Sequence, residues 1–345
     1  MCRLLILFLF WGFYSAAQPT NVLFIGNSYT HMNALCKIYQ NLANSKGKHV
    51  FGDTIAVSGS TLKGHTERAN TYKKMKAKDW DYVFIQGFSR ELSYDSTTIA
   101  TETIPYAKQL IDSLKKYNPC IKVYYYMTWG YANGYTDSLP DDTYELMQER
   151  IQKGYLQLSE ATGGYPIAPV GMVWNTMRTK YPETNLYAPD NAHPSHNGSY
   201  VAACTFYTAI YKESPIEGKA PKKVTAEIAK QIEQTAAKYV LSYYKKYNLD
   251  TVQIEPNKVK PKVNFIVSEK WLSVTLTNKS VGGSSYFWEF GDGKTSRQKN
   301  AKHYFAKPGK YTITLYVKKN CEWYTYKKTV TIEGPIKPKT KQKAN

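Results

Sequence analysis

The segment that most constrains the fold is residues 22–31, which read VLFIGNSYTH. Its first four residues are apolar and rich in β-branched and aromatic side chains, a composition typical of a buried strand. Gly26 and Asn27 interrupt that run, and apolar residues at helical spacing begin at Met32. The segment therefore predicts a strand, a tight turn and a helix, with Ser28 at the carboxyl end of the strand. Open α/β sheets bind ligands at that edge, although a serine there can also do no more than cap the helix.

Strand-like and helix-like segments alternate along the first 250 residues. Further strands are predicted at 51–57, 82–85, 121–127 and 167–170. Helices are predicted from the 3.6-residue spacing of apolar side chains at 32–46, 61–76, 98–117, 141–162, 171–180, 197–212 and 224–247. This alternation predicts a parallel sheet that is covered by helices on both faces.

A second motif, Asp190-Asn191-Ala192-His193, lies far from Ser28 along the chain. A serine hydroxyl becomes nucleophilic when a base takes its proton, and the base needs a group that fixes its tautomer. Asp190 and His193 supply both groups if their loop folds over Ser28. The other histidines after the amino-terminal segment compete as the base; they are His31, His49, His65 and His196.

Together, Gly-Asn-Ser at 26–28 and Asp-x-x-His at 190–193 resemble the SGNH, or GDSL-like, hydrolases over residues 21–247. The resemblance implies a three-layer, flavodoxin-like α/β domain. It also implies a serine esterase in which Ser28 is the nucleophile, His193 the base and Asp190 the group that orients the base. No metal ion or organic cofactor is expected.

The predicted oxyanion hole departs from the family pattern. After the third strand the family has Gly-x-Asn-Asp, and the Asn side chain donates to the oxyanion; here Phe88 stands at that position. The family's other donors are backbone N–H groups, which correspond here to Ser28 and to Gly59. Gln86 carries an amide nearby and is predicted to be the third donor. This chain also resembles a subgroup of secreted SGNH-like proteins that have Gln at this position and Ser three residues further on. Gly59 can alternatively be a turn glycine that needs positive φ.

Two further residues are predicted to contact the substrate. Asn27 precedes the nucleophile, and Trp129 follows the fourth strand. Trp129 is equally compatible with ordinary packing at the rim of the site.

The pattern changes after a linker at 249–261. Apolar and polar residues alternate at 263–267, 272–276 and 313–317, which is typical of a β-sandwich. The sequences YFWEFGDG and KPGKYTITLYV resemble a PKD (polycystic-kidney-disease) repeat over residues 262–333. The resemblance implies an all-β, immunoglobulin-like domain with Trp288 in its core. Such modules are spacers or adhesive units, so contact with polysaccharide or a cell surface is expected.

The two ends of the chain indicate export and a disordered tail. Residues 1–17 combine an early Arg, an apolar run at 4–13 and small residues before Gln18, as in a signal peptide. We therefore expect a domain at 18–248 that is secreted, periplasmic or held at the cell surface. No later segment is long and apolar enough to cross a membrane. The basic residues 334–345 are predicted to be disordered.

Charge is concentrated in the carboxyl-terminal third. The formal charge is +19, and residues 251–345 contribute +13 of it, from 19 basic and 6 acidic side chains. Such a region can be a solvated face, or it can meet acidic polysaccharide or an anionic surface. Nucleic acid is not expected, because no nucleic-acid-binding motif is present. Export permits disulfides among Cys36, Cys120, Cys204 and Cys321, and no pairing is predicted.

The two resemblances together imply a secreted serine ester hydrolase that removes acetyl or other short acyl groups from carbohydrate, with a lipid or aryl ester left open as the substrate. The alternative is a glycan- or surface-binding protein whose hydrolase domain is weak or inactive. Phe88 and the basic second domain motivate that alternative, whereas the intact Ser28, Asp190 and His193 argue against it.

Overall fold

The computed structural model describes residues 18–251, 253, 261–319 and 321–334. The predicted signal peptide, most of the predicted linker and nearly all of the predicted tail lie outside these residues. The helices and strands of the first domain end before residue 251, and the strands of the second domain begin at Phe265.

The amino-terminal domain is built on one parallel sheet with strand order β2-β1-β3-β4-β5. The strands are β1 (Pro19–Gly26), β2 (His49–Ala56), β3 (Tyr82–Ile85), β4 (Lys122–Tyr126) and β5 (Ile167–Ala168). This is the flavodoxin-like order, in which β2 lies on one side of β1 and the strands from β3 onward are added on the other side. The predicted fold class is confirmed for this domain.

Helices cover both faces of the sheet in two layers. One layer contains α2 (Leu35–Ser45), α8 (Val170–Lys180), α9 (His196–Tyr211) and α10 (Ala226–Ser242). The other contains α3 (Leu62–Thr66), α4 (Ala69–Met75), α5 (Ser96–Glu102), α6 (Ile104–Tyr117) and α7 (Tyr144–Thr162). A single-turn helix, α1 (Ser28–His31), follows β1 directly. Because both faces are covered, the central strands are mainly apolar, and residues 22–25 of β1, 83–85 of β3 and 123–126 of β4 are buried.

Two helices that were predicted as continuous are each broken. The helix predicted at 61–76 ends at Thr66 and restarts at Ala69. The helix predicted at 98–117 breaks at Thr103, and Pro105 lies in the first turn of the new helix. Proline lacks an N–H and fits a first helical turn, where no intrahelical partner is needed. The apolar spacing continues across both breaks, which is why periodicity alone did not reveal them.

The carboxyl-terminal domain is an antiparallel β-sandwich. One sheet has the order β10-β7-β6 and the other β12-β11-β8-β9. The strands are β6 (Phe265–Lys270), β7 (Ser273–Asn278), β8 (Ser285–Glu289), β9 (Thr295–Ser296), β10 (Ala301–Tyr304), β11 (Gly309–Lys319) and β12 (Glu322–Ile332). Trp288 is fully buried between the sheets, as predicted, and its indole N–H donates to the Gln298 carbonyl at 2.9 Å.

The sandwich is attached to the amino ends of the parallel strands. A disulfide joins Cys120, just before β4, to Cys321 in the β11–β12 turn. Lys318 Nζ lies 2.6 Å from Asp81 Oδ1, just before β3. The guanidinium of Arg297 lies 3.8 Å from the ring centroid of Phe51 on the edge strand β2.

Two more contacts complete this interface. His49 Nε2 is 2.5 Å from Glu289 Oε1, and Ser285 donates to Asp79 Oδ2 at 2.5 Å. In the first domain, all of these partners lie at or near the amino ends of the parallel strands, whereas Ser28 follows the carboxyl end of β1. Within the part of the chain that the structure describes, no helix is long and apolar enough to span a bilayer.

Candidate active site

Ser28 lies at the carboxyl end of β1, beside the point where the strand order switches to β3. Asn27 caps the following turn, because its side-chain oxygen accepts from the Tyr29 N–H at 3.0 Å. A side chain at Gly26 would lie 2.3 Å from Thr30 Oγ1 and 2.4 Å from Gln86 Oε1, so this position has no room for a Cβ. The Gly-Asn-Ser sequence therefore produces the sharp turn that presents Ser28 at the sheet edge.

The structure brings Ser28, His193 and Asp190 together. His193 Nε2 lies 2.8 Å from Ser28 Oγ, and His193 Nδ1 lies 2.5 Å from Asp190 Oδ2. Asp190 Oδ1 also accepts from the His193 N–H at 2.9 Å and from the Ala192 N–H at 3.1 Å. Partial burial would raise the pKa of Asp190, but these hydrogen bonds hold it below its ordinary value. The carboxylate therefore stays ionised and fixes the tautomer that leaves Nε2 free to accept the serine proton.

Three of the other described histidines of the hydrolase domain have different partners, and the fourth, His196, is the first residue of α9 and makes no hydrogen bond to Ser28. His31 Nε2 is 3.0 Å from Ser58 Oγ, and His49 pairs with Glu289 of the second domain. His65 is buried, and its Nε2 lies 2.8 Å from the Gly26 carbonyl oxygen. Among the described residues, His193 is the histidine within hydrogen-bonding distance of Ser28 Oγ.

Three side chains or backbone groups hold the loop that carries Asp190 and His193. The indole N–H of Trp129 donates to the Ala192 carbonyl at 3.0 Å, and the Ala132 N–H donates to the Asn191 carbonyl at 2.8 Å. The Asn33 side-chain amide donates to the carbonyl oxygens of Pro194 and Ser195 and to Ser199 Oγ, at 2.9–3.0 Å. The triad geometry therefore depends on the loop after β4 and on the segment after α1.

Trp129 does not line a substrate pocket as one of its two interpretations suggested. Its side chain is 0% exposed and lies between Tyr29, at a ring-centroid distance of 4.6 Å, and Trp174, at 4.0 Å. Tyr29 in turn meets the His193 ring edge-on at 5.2 Å. Burial raises the pKa of Tyr29 well above its ordinary value, so its phenol stays neutral next to the triad. Trp129 thus supports the triad from behind.

Asn27 is likewise placed as a structural residue, because it is 1% exposed and its oxygen caps the serine turn. The prediction that it contacts the substrate does not fit this burial. The signal that would have indicated the capping role is the strong preference for Asn at helix N-caps.

The prediction that Gln86 donates to an oxyanion is contradicted by its hydrogen bonds. Its Oε1 accepts from the Asn27 N–H at 2.9 Å and from Thr30 Oγ1 at 2.7 Å, and its Nε2 donates to the Gly87 carbonyl. The Asn27 N–H fixes which end of the amide is oxygen, since two donors cannot face each other. The side chain is 1% exposed, so the amide serves to fasten the Ser28 turn to the end of β3.

The loop that carries Gly59 lies next to the Ser28 turn. The Val57 N–H donates to the Gly26 carbonyl at 3.2 Å, and Ser58 contacts His31 on α1. Gly59 has φ +71°, which glycine adopts without strain. Among the described residues, neither the Ser28 N–H nor the Gly59 N–H donates to a protein acceptor. Both groups are free to donate to a substrate oxygen.

Phe88 stands in a loop that is fastened by a buried carboxyl group. Glu91 Oε2 accepts from the Phe88 N–H at 2.7 Å, and Glu91 Oε1 accepts from Thr103 Oγ1 at 3.2 Å. Burial raises the pKa of Glu91 to about 7. In the same loop, Ser89 Oγ lies 2.9 Å from Tyr131 Oη, which connects it to the loop after β4.

The fold and the site together define an SGNH-like α/β domain followed by a PKD domain, which confirms the predicted resemblance. The family model described as Domain of unknown function (DUF4886) matches residues 13–240, and a PKD domain model matches residues 266–334. The chain therefore belongs to the DUF4886 family. Comparison with curated proteins finds no match.

Comparison with solved structures finds proteins that are similar to parts of this chain. A DUF4886 family protein from Bacteroides uniformis is 19% identical and covers 65% of this chain and 95% of its own, with a TM-score of 0.56. A protein from Slackia heliotrinireducens, described as a candidate SGNH hydrolase, is 22% identical and covers 55% and 97%, with a TM-score of 0.45. The PKD1 domain of Vibrio anguillarum Epp is 30% identical and covers 23% and 100%, with a TM-score of 0.22.

Proposed function

We propose that the protein is a serine ester hydrolase that removes acetyl or other short acyl groups from carbohydrate. The observation that carries this proposal is the hydrogen-bonded chain from Ser28 Oγ through His193 to Asp190. A relay of this kind makes a hydroxyl nucleophilic near neutral pH, and it needs no further group to do so.

The reaction follows from the positions of these groups. Ser28 Oγ attacks the ester carbonyl carbon while His193 Nε2 takes the hydroxyl proton, and the imidazolium is stabilised by Asp190. The N–H groups of Ser28 and Gly59 stabilise the oxyanion of the tetrahedral intermediate. His193 then gives its proton to the leaving alcohol. Water, activated by the same histidine, hydrolyses the acyl-serine and restores the enzyme.

Two features of the second domain support export and a carbohydrate partner. A disulfide between Cys120 and Cys321 is typical of proteins from oxidising compartments. Trp271, in the turn between β6 and β7, and Tyr304, at the end of β10, expose 57% and 63% of their surface. Exposed aromatic rings suit stacking against sugar rings, so we propose that this end of the β10-β7-β6 sheet contacts polysaccharide.

Turnover of p-nitrophenyl acetate tests the enzymatic proposal. The wild-type protein should release p-nitrophenol, and Ser28→Ala should lower kcat to the uncatalysed background while the circular dichroism spectrum and Tm stay unchanged. Ser242→Ala, at an exposed position at the end of α10, is the matched control and should retain activity within a few-fold. Equal turnover by wild type and Ser28→Ala would overturn the proposal and favour the glycan-binding alternative that Phe88 suggests.

A further inference from the structure

Arg90 lies at the border of the catalytic site, although no step of the ester hydrolysis uses it. It follows the loop after β3, whose first residue, Gln86, fastens the Ser28 turn. The Oγ of the neighbouring Ser89 lies 2.9 Å from Tyr131 Oη in the loop after β4. In that same loop, the Ala132 N–H donates to the Asn191 carbonyl of the loop that carries Asp190 and His193. Both loops that flank Arg90 therefore touch the segments that carry the triad.

Two aromatic rings hold the guanidinium by its faces. Its central carbon lies 4.8 Å from the ring centroid of Phe88 and 5.0 Å from that of Tyr135. Nε donates to Tyr94 Oη at 3.1 Å. Phe88 occupies the position where related hydrolases carry the oxyanion asparagine, so the ring that replaces this asparagine also positions a cation.

The charge of Arg90 has no acidic partner. The ion pairs among the described residues do not include Arg90, whereas Arg150, nearby in the fold, is neutralised by Asp142 at 2.7 Å. Nε donates to Tyr94, and the Tyr131 phenol also interacts with the guanidinium. The remaining N–H groups of the two terminal nitrogens lie in the planar arrangement that binds a carboxylate or sulfate through two parallel hydrogen bonds.

We propose that Arg90 is an anion-binding subsite that selects esters whose alcohol part carries a carboxylate or sulfate group, such as an acetylated uronic acid or an acetylated sulfated sugar. This inference rests on the proposed function for the substrate class. The anionic group must belong to the alcohol part of the ester, because an acetyl group carries no charge. The aromatic faces of Phe88 and Tyr135 hold the guanidinium in place before substrate arrives, which reduces the entropic cost of binding.

Paired substrates test the subsite. The probes are methyl glucoside, methyl glucuronoside and methyl glucoside 6-sulfate, each acetylated at the same hydroxyl, with acetate release as the readout. The wild-type enzyme should prefer at least one anionic ester over the neutral one by roughly 10- to 100-fold in kcat/KM, and salt should weaken that preference. A preference for the uronoside alone, or for the sulfated glucoside alone, identifies which anionic group Arg90 recognises.

Variants assign the preference to Arg90. Arg90→Gln should abolish it while p-nitrophenyl acetate turnover stays within a few-fold of wild type, and Arg90→Lys should keep only part of it, because an ammonium lacks the two-point fork. Lys238→Gln removes one positive charge from the exposed surface of α10, and it should leave kcat/KM unchanged for both the neutral and the anionic esters. An equal loss on neutral and anionic esters would overturn the proposal.

A binding measurement separates this proposal from the enzymatic one. The deacetylated uronoside and the sulfated glucoside are titrated into Ser28→Ala protein and into the same protein carrying Arg90→Gln. At least one should bind Ser28→Ala protein at least tenfold more tightly than methyl glucoside does, and Arg90→Gln should remove that difference. Affinities that do not depend on charge would overturn the subsite whether or not the protein hydrolyses esters. Turnover that does not depend on Ser28 would overturn only the enzymatic proposal.

Discussion

At the scale of single residues, Gln86 shows how a side chain can lie close to the candidate nucleophile Ser28 and serve only to fasten the backbone around it. Its carbonyl oxygen accepts from the Asn27 N–H and the Thr30 hydroxyl, and its amide nitrogen donates to the Gly87 carbonyl. An oxyanion donor would need an N–H that substrate can reach, whereas the Gln86 side chain is 1% exposed. The oxyanion hole that fits the described contacts contains the N–H groups of Ser28 and Gly59.

Gln86→Ala should therefore act mainly on stability. The substitution leaves the buried Asn27 N–H and Thr30 hydroxyl without their acceptor, so the free energy of unfolding should fall by about 2–4 kcal/mol. Urea denaturation measures this fall, and kcat for p-nitrophenyl acetate is measured on the fraction that remains folded. An unchanged unfolding midpoint together with a hundredfold lower kcat would restore the donor role.

The base and its partner predict the pH dependence of the rate. Asp190 has a depressed pKa, so it is ionised across the working range and the rate does not follow its titration. Only the neutral imidazole of His193 can take the serine proton, so kcat/KM should rise with pH as that ring loses its proton. A rate that stays flat from about pH 5 to 9 would contradict a histidine base.

The sequence was sufficient to predict that Ser28, Asp190 and His193 lie together, but not the environment of these side chains. Ser28, Asp190 and His193 were recognisable because their chemistry depends on residue types in short motifs. The roles of Trp129 and Asn33 depend on which residue lies opposite in space, at separations of 63 and 161 residues from their partners. Local sequence patterns carry no information on such distances, so packing and hydrogen-bonding roles were missed.

At the scale of elements, the triad loop is held by the loop after β4 through the Trp129 indole. Trp129→Phe removes the N–H that donates to Ala192 but keeps a ring between Tyr29 and Trp174. We expect kcat to fall by roughly 5- to 50-fold with little change in KM, because a small displacement of His193 weakens proton transfer more than binding.

Trp80→Phe is the matched control for this variant. Trp80 is also fully buried, and its indole N–H donates to the Lys74 carbonyl at 3.1 Å, away from the triad. It should lower Tm and leave kcat unchanged. Equal effects of the two substitutions on kcat would show that Trp129 acts only through general stability.

The loop after β3 depends on a protonated carboxyl group. Glu91 titrates near 7 in the folded chain and near 4.5 in the unfolded chain. Between those values the unfolded chain loses a proton that the folded chain retains, so the free energy of unfolding should fall as pH rises from 4.5 to 7. The full effect is about 3 kcal/mol, and below 4.5 it is absent because both states are protonated.

Glu91→Gln should remove that part of the pH dependence. The glutamine oxygen can still accept from the Phe88 N–H, and the side chain has no proton to lose. Tm measured across the window should fall less in this variant than in wild type, whereas Glu102→Gln, an exposed carboxylate on α5, should follow wild type. A wild-type slope in Glu91→Gln would contradict the assignment.

At the scale of the whole molecule, the two domains are joined by one covalent and several polar contacts. The bond between Cys120 and Cys321 closes a separation of 201 residues, and a crosslink of that span stabilises by about 2–5 kcal/mol. The domain architecture was predictable because the sandwich and the sheet have different sequence periods. The pairing of these cysteines was not, since it depends on how the two finished domains meet.

Reduction should separate the unfolding of the two domains. In calorimetry, the oxidised protein should show strongly overlapping transitions, and dithiothreitol should lower the Tm of the PKD domain. The double variant Cys120→Ser, Cys321→Ser should resemble the reduced protein and show no response to dithiothreitol. A response in that variant would mean that other groups are the target of the reductant.

The position of that interface has a consequence for where the proposed hydrolase would act. Arg297 of the PKD domain contacts Asn21 near the start of β1, and Ser28 follows the end of the same strand, roughly 20 Å away at about 3.3 Å per residue. A protein held on a polymer through its second domain would have its nucleophile at the end of the hydrolase domain that lies away from that second domain. Such a molecule would deacylate neighbouring chains and passing fragments rather than the strand to which it is attached.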